Sequence, residues 1–353
     1  MASENNHLVI MAGGVGSRLW PMSTVETPKQ FVDVLGCGRT LIQLTLDRFQ
    51  GIVPAENVWV VTSAEYEGLV REQLPMVPEK NILKEPCRRN TAPCIAYVSW
   101  HIKSQDAKAN IVVSPSDHIV MDVKEFQRVI ASGLSFVSEN DAMLTLGMKP
   151  TRAETGYGYI QADMSSPCVR NREIFRVDAF HEKPSEDKAK KYVAQTNFFW
   201  NAGIFLWNVN TIVNAFRIYA PAISETFERL LPYYGTELEQ QFINQVFPNC
   251  ETISIDYAIM EKADEIYCFP ASFGWSDLGT WGSLGEHSTR DMYGNVLIGN
   301  DVRVFDTRNT IVHTTGERRV VVQGLDGYIV AERDGALLVC KLTNEQQIKQ
   351  YSE

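Results

Sequence analysis

From residue 12 to residue 31 the chain reads AGGVGSRLWPMSTVETPKQF, with Gly13, Gly14 and Gly16 closely followed by Arg18 and then by Lys29 behind Pro28. Bare glycines after a strand let backbone N–H groups turn inward around an anion. Arg18 adds a planar fork of donors suited to phosphate oxygens, and Lys29 supplies a second positive charge. The chemistry such a set serves is the gripping of phosphate groups. Two familiar phosphate motifs do not account for it. A P-loop ends in Gly-Lys, a dipeptide absent from this chain. A dinucleotide fingerprint needs a third glycine where Leu19 stands, and Arg18 would crowd that crossing. The plain alternative is a glycine-rich turn with a surface arginine.

The elements that must position this loop are legible upstream and downstream of it. HLVIM (7–11), NVWVVTS (57–63), NIVVSPS (110–116), AMLTLGM (142–148) and GIFLWNV (203–209) read as strands too apolar to be exposed on one face. Between them, 40–51 reads as a helix with Thr40 as cap and Gly51 as stop, and 91–103 as a helix capped by Thr91. Strands alternating with helices predict a Rossmann-like α/β domain with a mostly parallel sheet, whose ligands belong at the carboxyl ends of the strands. Past residue 290 the character changes to short β runs punctuated by Gly, Asn and Asp, with no helix before the last dozen residues. The spacing is β-helix-like without a strict hexapeptide repeat. The expected domains are therefore 1–288, catalytic, and 289–353, a small C-terminal β domain.

The 353 residues are 44% hydrophobic and 22% charged, ample for a large core, and the formal net charge of −10 argues against a nucleic-acid or membrane-surface binder. Seven scattered cysteines with no C-x-x-C read as reduced thiols. The start lacks a basic, then apolar, leader and no run is long enough to span a bilayer, so a cytoplasmic protein is expected.

The stretch from Gly13 to Phe31 resembles the signature of the sugar-1-phosphate nucleotidylyltransferases, G-G-x-G-x-R-L-x-P…P-K. EPCRRNTAPCIA (85–96), SPSDHIV (114–120), TGYGYI (155–160), FHEKP (180–184), WNAGIFLW (200–207) and FGWSDLGTW (273–281) follow in the family's order. The Trp-Pro and Lys-Gln-Phe of the first motif are close to the branch that joins GTP to mannose 1-phosphate. The resemblance implies attack by the sugar phosphate on the α-phosphorus of GTP, giving GDP-mannose and pyrophosphate. That reaction asks for cations, a metal and an in-line geometry rather than a general base. Mg²⁺ takes one or two carboxylates with phosphate oxygens and water. Asp117 and Asp277 are the candidates, and they stand at the family's metal-binding positions. Read alone, they are a cap or loop carboxylate and a turn residue. His118 is a poor match for so hard an ion.

Arg18, Lys29, Asp117, Lys183 and Asp277 are thus the expected catalytic set. The resemblance puts Gly13, Gly14, Gly16, Ser17, Arg18, Glu85, Asn90, Thr91 and Ser116 at the nucleotide. It puts Lys183 on the sugar's phosphate, Glu182 on sugar hydroxyls, and Asn201 and Gly158 against the sugar. The ordinary reading of Glu182-Lys183 is a surface charge pair, and that of Gly158 a bulge glycine. Guanine presents N1–H and N2–H₂ donors, so a selective pocket needs an acceptor. Glu85 is the candidate, unless it pairs with Arg88 or Arg89 instead. Trp200, Trp207, Trp275 and Trp281 read as core or pocket wall. A homodimer is expected on family grounds. An isomerase domain of cupin type follows the β region in some bacterial relatives, and with the chain ending at Glu353 that activity is expected to be absent. The alternatives are a guanylyltransferase for another sugar, such as manno-heptose 1-phosphate, and a non-catalytic nucleotide-sugar sensor.

Overall fold

The computed structural model describes residues 4–351 except Val15 and Arg170. By packing, the chain divides into two compact units. The first holds residues up to Gly13, Leu46–Pro115 and Val120–Trp275, and the second Gly14–Thr45, Ser116–Ile119 and the residues from Ser276 onward. The partition at 288/289 expected from sequence follows chain order, whereas this division does not.

The strands up to the end of the first unit are β1 (Asn6–Ala12), β2 (Val58–Ser63), β3 (Ile82–Glu85), β4 (Asn110–Pro115), β5 (Ile119–Val120), β6 (Met143–Met148), β7 (Tyr159–Pro167), β8 (Phe175–His181), β9 (Phe198–Asn208) and β10 (Ile266–Ala271). All but β5 form one sheet in the order β3-β2-β1-β4-β9-β6-β10-β8-β7. β1 to β4 run parallel, as do β6 and β10, which bears out the parallel α/β core. β9, however, runs antiparallel to both β4 and β6. An apolar strand buried on both faces carries no mark of its direction, so its sequence could not reveal this. Val9, Val61, Val113, Phe205 and Trp207 of the sheet pack with Ile95 and Trp100 of the helix Thr91–Gln105 in one core.

That helix also corrects a capping assignment. Asn90, not Thr91, is the cap: its side-chain oxygen accepts the Thr91 N–H at 2.8 Å from a backbone at φ 66°. Asparagine tolerates this left-handed geometry better than a β-branched residue. Thr91 lies already inside the first turn, where its hydroxyl accepts the Ile255 N–H at 2.9 Å. The helix expected over 40–51 spans Leu41–Arg48.

β5 pairs with β11 (Trp275–Ser276) in a two-stranded ribbon. In the second unit β12 (Val296–Ile298), β14 (Ile311–Thr314) and β16 (Tyr328–Arg333) stack in parallel, and β13 (Val302–Phe305) pairs in parallel with β15 (Val320–Gln323). Val296 lies beside Ile311 and Ile311 beside Ile329, so each coil adds one strand to each of two sheets, in β-helix fashion. β17 (Ala336–Lys341) closes the stack antiparallel to β16. The apolar faces of the coils, Val296, Ile311 and Ile329, pack on Trp281 and Leu284 and on Leu19, Val34 and Leu41. The glycine-loop segment thus shares a core with the C-terminal coils. The seven cysteines are free, and among the described residues no helix is long and apolar enough to cross a membrane. Of the four tryptophans assigned to core or wall, Trp200, Trp207 and Trp281 are buried.

Candidate active site

The second unit contains a cavity of about 350 Å³ lined by Gly16, Ser17, Arg18, Lys29, Asp117, Asp277 and Gly279, together with His118, Leu278 and Lys349. Three segments far apart in sequence build it. Gly16 sits at φ 69° and opens a short 3-10 turn over Ser17–Leu19. A side chain there would bring its Cβ within 2.6 Å of Lys29 Cβ, so only glycine lets the loop lie on Lys29. Gln30, buried beside Lys29, donates to the Gly14 carbonyl at 2.9 Å and fixes the loop from below.

Lys29 is 4% exposed and fully engaged. Its ammonium lies 2.9 Å from Asp117 Oδ2 and donates to the Asp277 carbonyl at 2.6 Å and the Leu278 carbonyl at 3.3 Å. Three ammonium protons therefore have three acceptors. Leu278 is held at φ 47°, an uncommon conformation for a branched residue, between a Gly279 N–H bonded to Asp277 Oδ1 at 3.0 Å and its own N–H bonded to Ser276 Oγ at 3.2 Å. That turn is what aims two successive carbonyls at Lys29. Burial raises the Asp117 carboxyl, but the charges of Lys29 and His118 and the Lys29 hydrogen bond outweigh it and hold the group below its ordinary range. Its side chain remains 29% accessible, so an ionised carboxylate faces the cavity. Arg18 is exposed at the cavity wall. Ser116 is buried, with its carbonyl accepting from Thr45 Oγ1 at 3.4 Å, and does not line the cavity. Among the described residues no three His, Cys, Asp or Glu side chains are placed to hold a metal between them. Asp117 and Asp277 are two carboxylates, as many as Mg²⁺ commonly takes.

The remaining expected residues lie in the first unit, in two groups. In one, Glu85 ends β3, 7% exposed, 3.7 Å from where a Gly13 side chain would begin. Burial pushes its carboxyl up to about 8, partly offset by a hydrogen bond with Cys94, and its Oε1 has no hydrogen-bond partner. No ion pair joins it to the neighbouring arginines: Arg88 donates to Tyr66 Oη at 2.9 Å, and Arg89 donates to Thr252 Oγ1 at 3.1 Å and to the Pro248 carbonyl. The side-chain oxygens of Asn90 and Thr91 are taken by the backbone bonds described above.

In the other group, Asn201 is fixed at both ends of its amide. Its oxygen accepts from Thr145 Oγ1 at 2.9 Å and the Gly203 N–H at 3.2 Å, while its nitrogen donates to Asp256 Oδ1 at 3.0 Å. Lys183, at φ 45°, lies 2.8 Å from Glu182 Oε1. This is no simple surface pair, because the Glu182 side chain is only 7% accessible. Burial alone would lower Lys183, and the hydrogen bond and charge of Glu182 raise it instead. Gly158 leaves room for that carboxylate, since a Cβ there would meet Glu182 Oε2 at 2.6 Å, and its carbonyl accepts the Asn201 N–H at 2.8 Å.

Three residues escaped the sequence reading. Asp256 is half-buried beside Asn201, and its carboxyl is pushed up to about 6 by desolvation and then by the charge of Glu182. An acid inside the apolar run ISIDYAIM gave the same signal that singled out Asn201. Cys94 and Lys349 gave none.

Against known proteins, residues 7–292 match the family model described as nucleotidyl transferase. The chain is 34% identical over 362 residues to mannose-1-phosphate guanylyltransferase of Escherichia coli, covering 99% of this chain and 74% of that protein. It is 35% identical over 347 residues to alginate biosynthesis protein AlgA of Pseudomonas syringae pv. tomato, covering 97% and 70%. A crystal structure described as mannose-1-phosphate geranyltransferase from Thermus thermophilus superposes with a TM-score of 0.86 at 31% identity, covering 98% of both chains.

Proposed function

Because this chain belongs to the nucleotidyl transferase family, we propose that it transfers GMP from GTP to α-D-mannose 1-phosphate, giving GDP-mannose and pyrophosphate. What carries the reading is the likeness, over nearly the whole of this chain, to relatives named for that transfer, joined to a cavity that sets a glycine loop and Arg18 beside two carboxylates.

A sugar phosphate is already ionised at neutral pH and needs no base to become a nucleophile. One of its oxygens attacks the α-phosphorus as the bond to pyrophosphate breaks, and pyrophosphate leaves with the electron pair. The protein's work is positioning and charge stabilisation. On this reading the backbone of Gly13, Gly14, Gly16 and Ser17 and the Arg18 guanidinium take the triphosphate. Lys29, its donors engaged, holds Asp117 and the 277–279 turn in place. Glu85 and the Asn90-Thr91 turn take the base, Ser116 supports the nucleotide from behind, and Lys183, Glu182, Asn201 and Gly158 take the sugar phosphate. Asp117 and Asp277 offer the hard oxygen donors that fit Mg²⁺. Bound there, the ion would neutralise charge on the phosphate oxygens. The same reading makes the protein a cytoplasmic homodimer, which light scattering checks for oligomeric state.

The test is pyrophosphate release with Mg²⁺, crossing the four nucleoside triphosphates with mannose, glucose and N-acetylglucosamine 1-phosphates. Release confined to GTP with mannose 1-phosphate is expected. Release with another pair discards the base or the sugar assignment.

A further inference from the structure

The cavity of the second unit is lined by a residue that none of the ordered motifs contains. Lys349 belongs to a short helix, Ile348–Tyr351, that packs on the Ser17–Leu19 turn carrying Arg18. The segment is anchored at two points. Ile348 is fully buried in the core with Leu19, Leu278 and Trp281, and Glu345 accepts the Gly282 N–H at 2.7 Å. Lys349 follows the buried anchor directly, so its backbone is fixed where its side chain lines the cavity.

Charge shows why this matters. The cavity wall carries Asp117 and Asp277 as carboxylates and Arg18, Lys29 and Lys349 as cations. Lys29 is committed to Asp117 and to two carbonyls. With His118 neutral and without Lys349 the wall is electrically even, a poor host for a polyphosphate in a chain of net charge −10. With it the wall is positive, and two side chains, Arg18 and Lys349, stand at the wall beside the glycine turn.

We propose that Lys349 is a phosphate-binding residue of this cavity, acting with Arg18 on the terminal phosphates of a nucleoside triphosphate. The inference rests on the reading of the cavity as a triphosphate site, and needs neither the base nor the sugar assignment. The mobile end of a triphosphate is where a flexible ammonium serves well, because it meets several oxygens without a fixed fork geometry.

The experiment uses the full chain and inorganic tripolyphosphate with Mg²⁺, titrated by calorimetry. Lys349→Ala is expected to weaken binding about tenfold or more, the scale of one lost charge-assisted hydrogen bond. Lys349→Arg is expected to stay within about threefold of wild type, and Lys341→Ala, an exposed lysine outside the cavity, within about twofold. In turnover, Lys349→Ala raises KM for the triphosphate and leaves KM for the sugar phosphate unchanged, a split that a merely structural role would not produce. Wild-type affinity in Lys349→Ala, or an equal loss in Lys341→Ala, overturns the proposal, as does a wild type that binds no tripolyphosphate. Binding of tripolyphosphate that depends on Lys349, with no turnover of GTP and mannose 1-phosphate, supports the proposal while discarding the substrate assignment.

Discussion

Lys29 and Asp117, separated by 87 intervening residues, meet at 2.9 Å beneath the glycine turn, and the same ammonium holds the carbonyls of Asp277 and Leu278. One cation therefore holds the Asp117 carboxylate and the backbone of Asp277, which makes it a positioning group for both candidate metal residues. Removing either partner separates fold from function. Lys29→Met should cost roughly 2–3 kcal/mol, less than a fully buried pair because Asp117 is 29% accessible. Asp117→Asn keeps a hydrogen-bond acceptor for Lys29 but loses the charge. Its melting temperature should stay within a few degrees of wild type while turnover in Mg²⁺ falls at least ~10²-fold. Near-normal turnover in purified Asp117→Asn would remove this carboxylate from the metal site.

The fit of Gly16 over Lys29 gives a second prediction. Gly16→Ala combines a left-handed backbone with a Cβ that would lie 2.6 Å from Lys29 Cβ, and should cost roughly 2–4 kcal/mol. It should also raise KM for GTP, because Lys29 has to move. Gly38, at φ 80° with nothing within 4 Å of the added Cβ, should cost only about 1 kcal/mol on the same change. Thermal melts of the two variants side by side decide it: equal losses would mean that the turn, not the packing on Lys29, sets the cost.

What the sequence made legible follows a physical line. Apolar runs such as Asn110–Pro115 announce buried strands, and a glycine loop with Arg18 announces a candidate anion site, because both depend on local residue types. Direction and partnership do not. β9 is as apolar as β4 and β6 on either side of it, and nothing in Phe198–Asn208 says that it runs antiparallel to both. Lys29 reads as a second positive charge for phosphate, and the fold places two carbonyls and a carboxylate around it. Nothing in the types of Asn90 and Thr91 says that their side-chain oxygens accept the N–H groups of Thr91 and Ile255. Lys349 reads as one lysine in a polar tail, and only the burial of Ile348 brings it to the cavity.

Asp256 offers a third prediction, on sugar-phosphate recognition. It accepts from the Asn201 amide at 3.0 Å and feels the charges of Glu182 and Lys183. Asp256→Ala leaves that amide nitrogen without its partner and lets the side chain turn, whereas Asp256→Asn keeps an acceptor oxygen. The alanine variant should raise KM for mannose 1-phosphate by about tenfold with little change for GTP. The asparagine variant should restore most of it. If both variants behave alike, charge rather than orientation is what Asp256 contributes.

Glu85 ties folding and binding to pH. Burial raises its carboxyl from the ordinary 4.5 to about 8, with Cys94 and Tyr97 the titratable groups against it. Between those values the folded protein binds the proton that the unfolded chain releases. Stability therefore falls as pH rises from about 4.5 to 8, by at most ~4 kcal/mol from this group. Asp256, raised to about 6, adds to the fall in the same direction at the acid end of that window. Glu85→Gln cannot ionise and should flatten the upper part of the curve, making the variant more stable than wild type at pH 8. The same proton bears on the nucleotide. Guanine N1–H and N2–H₂ need acceptors, so on the proposed assignment the carboxyl must lose its proton when GTP binds. KM for GTP should then fall as pH rises from 6 to 8, by up to about tenfold per unit, while KM for mannose 1-phosphate does not follow it. Denaturant melts and KM measurements over pH 5–8.5 on wild type and Glu85→Gln test both halves. A GTP profile that persists unchanged in Glu85→Gln would take this residue off the base, and identical stability curves would show that its burial costs nothing.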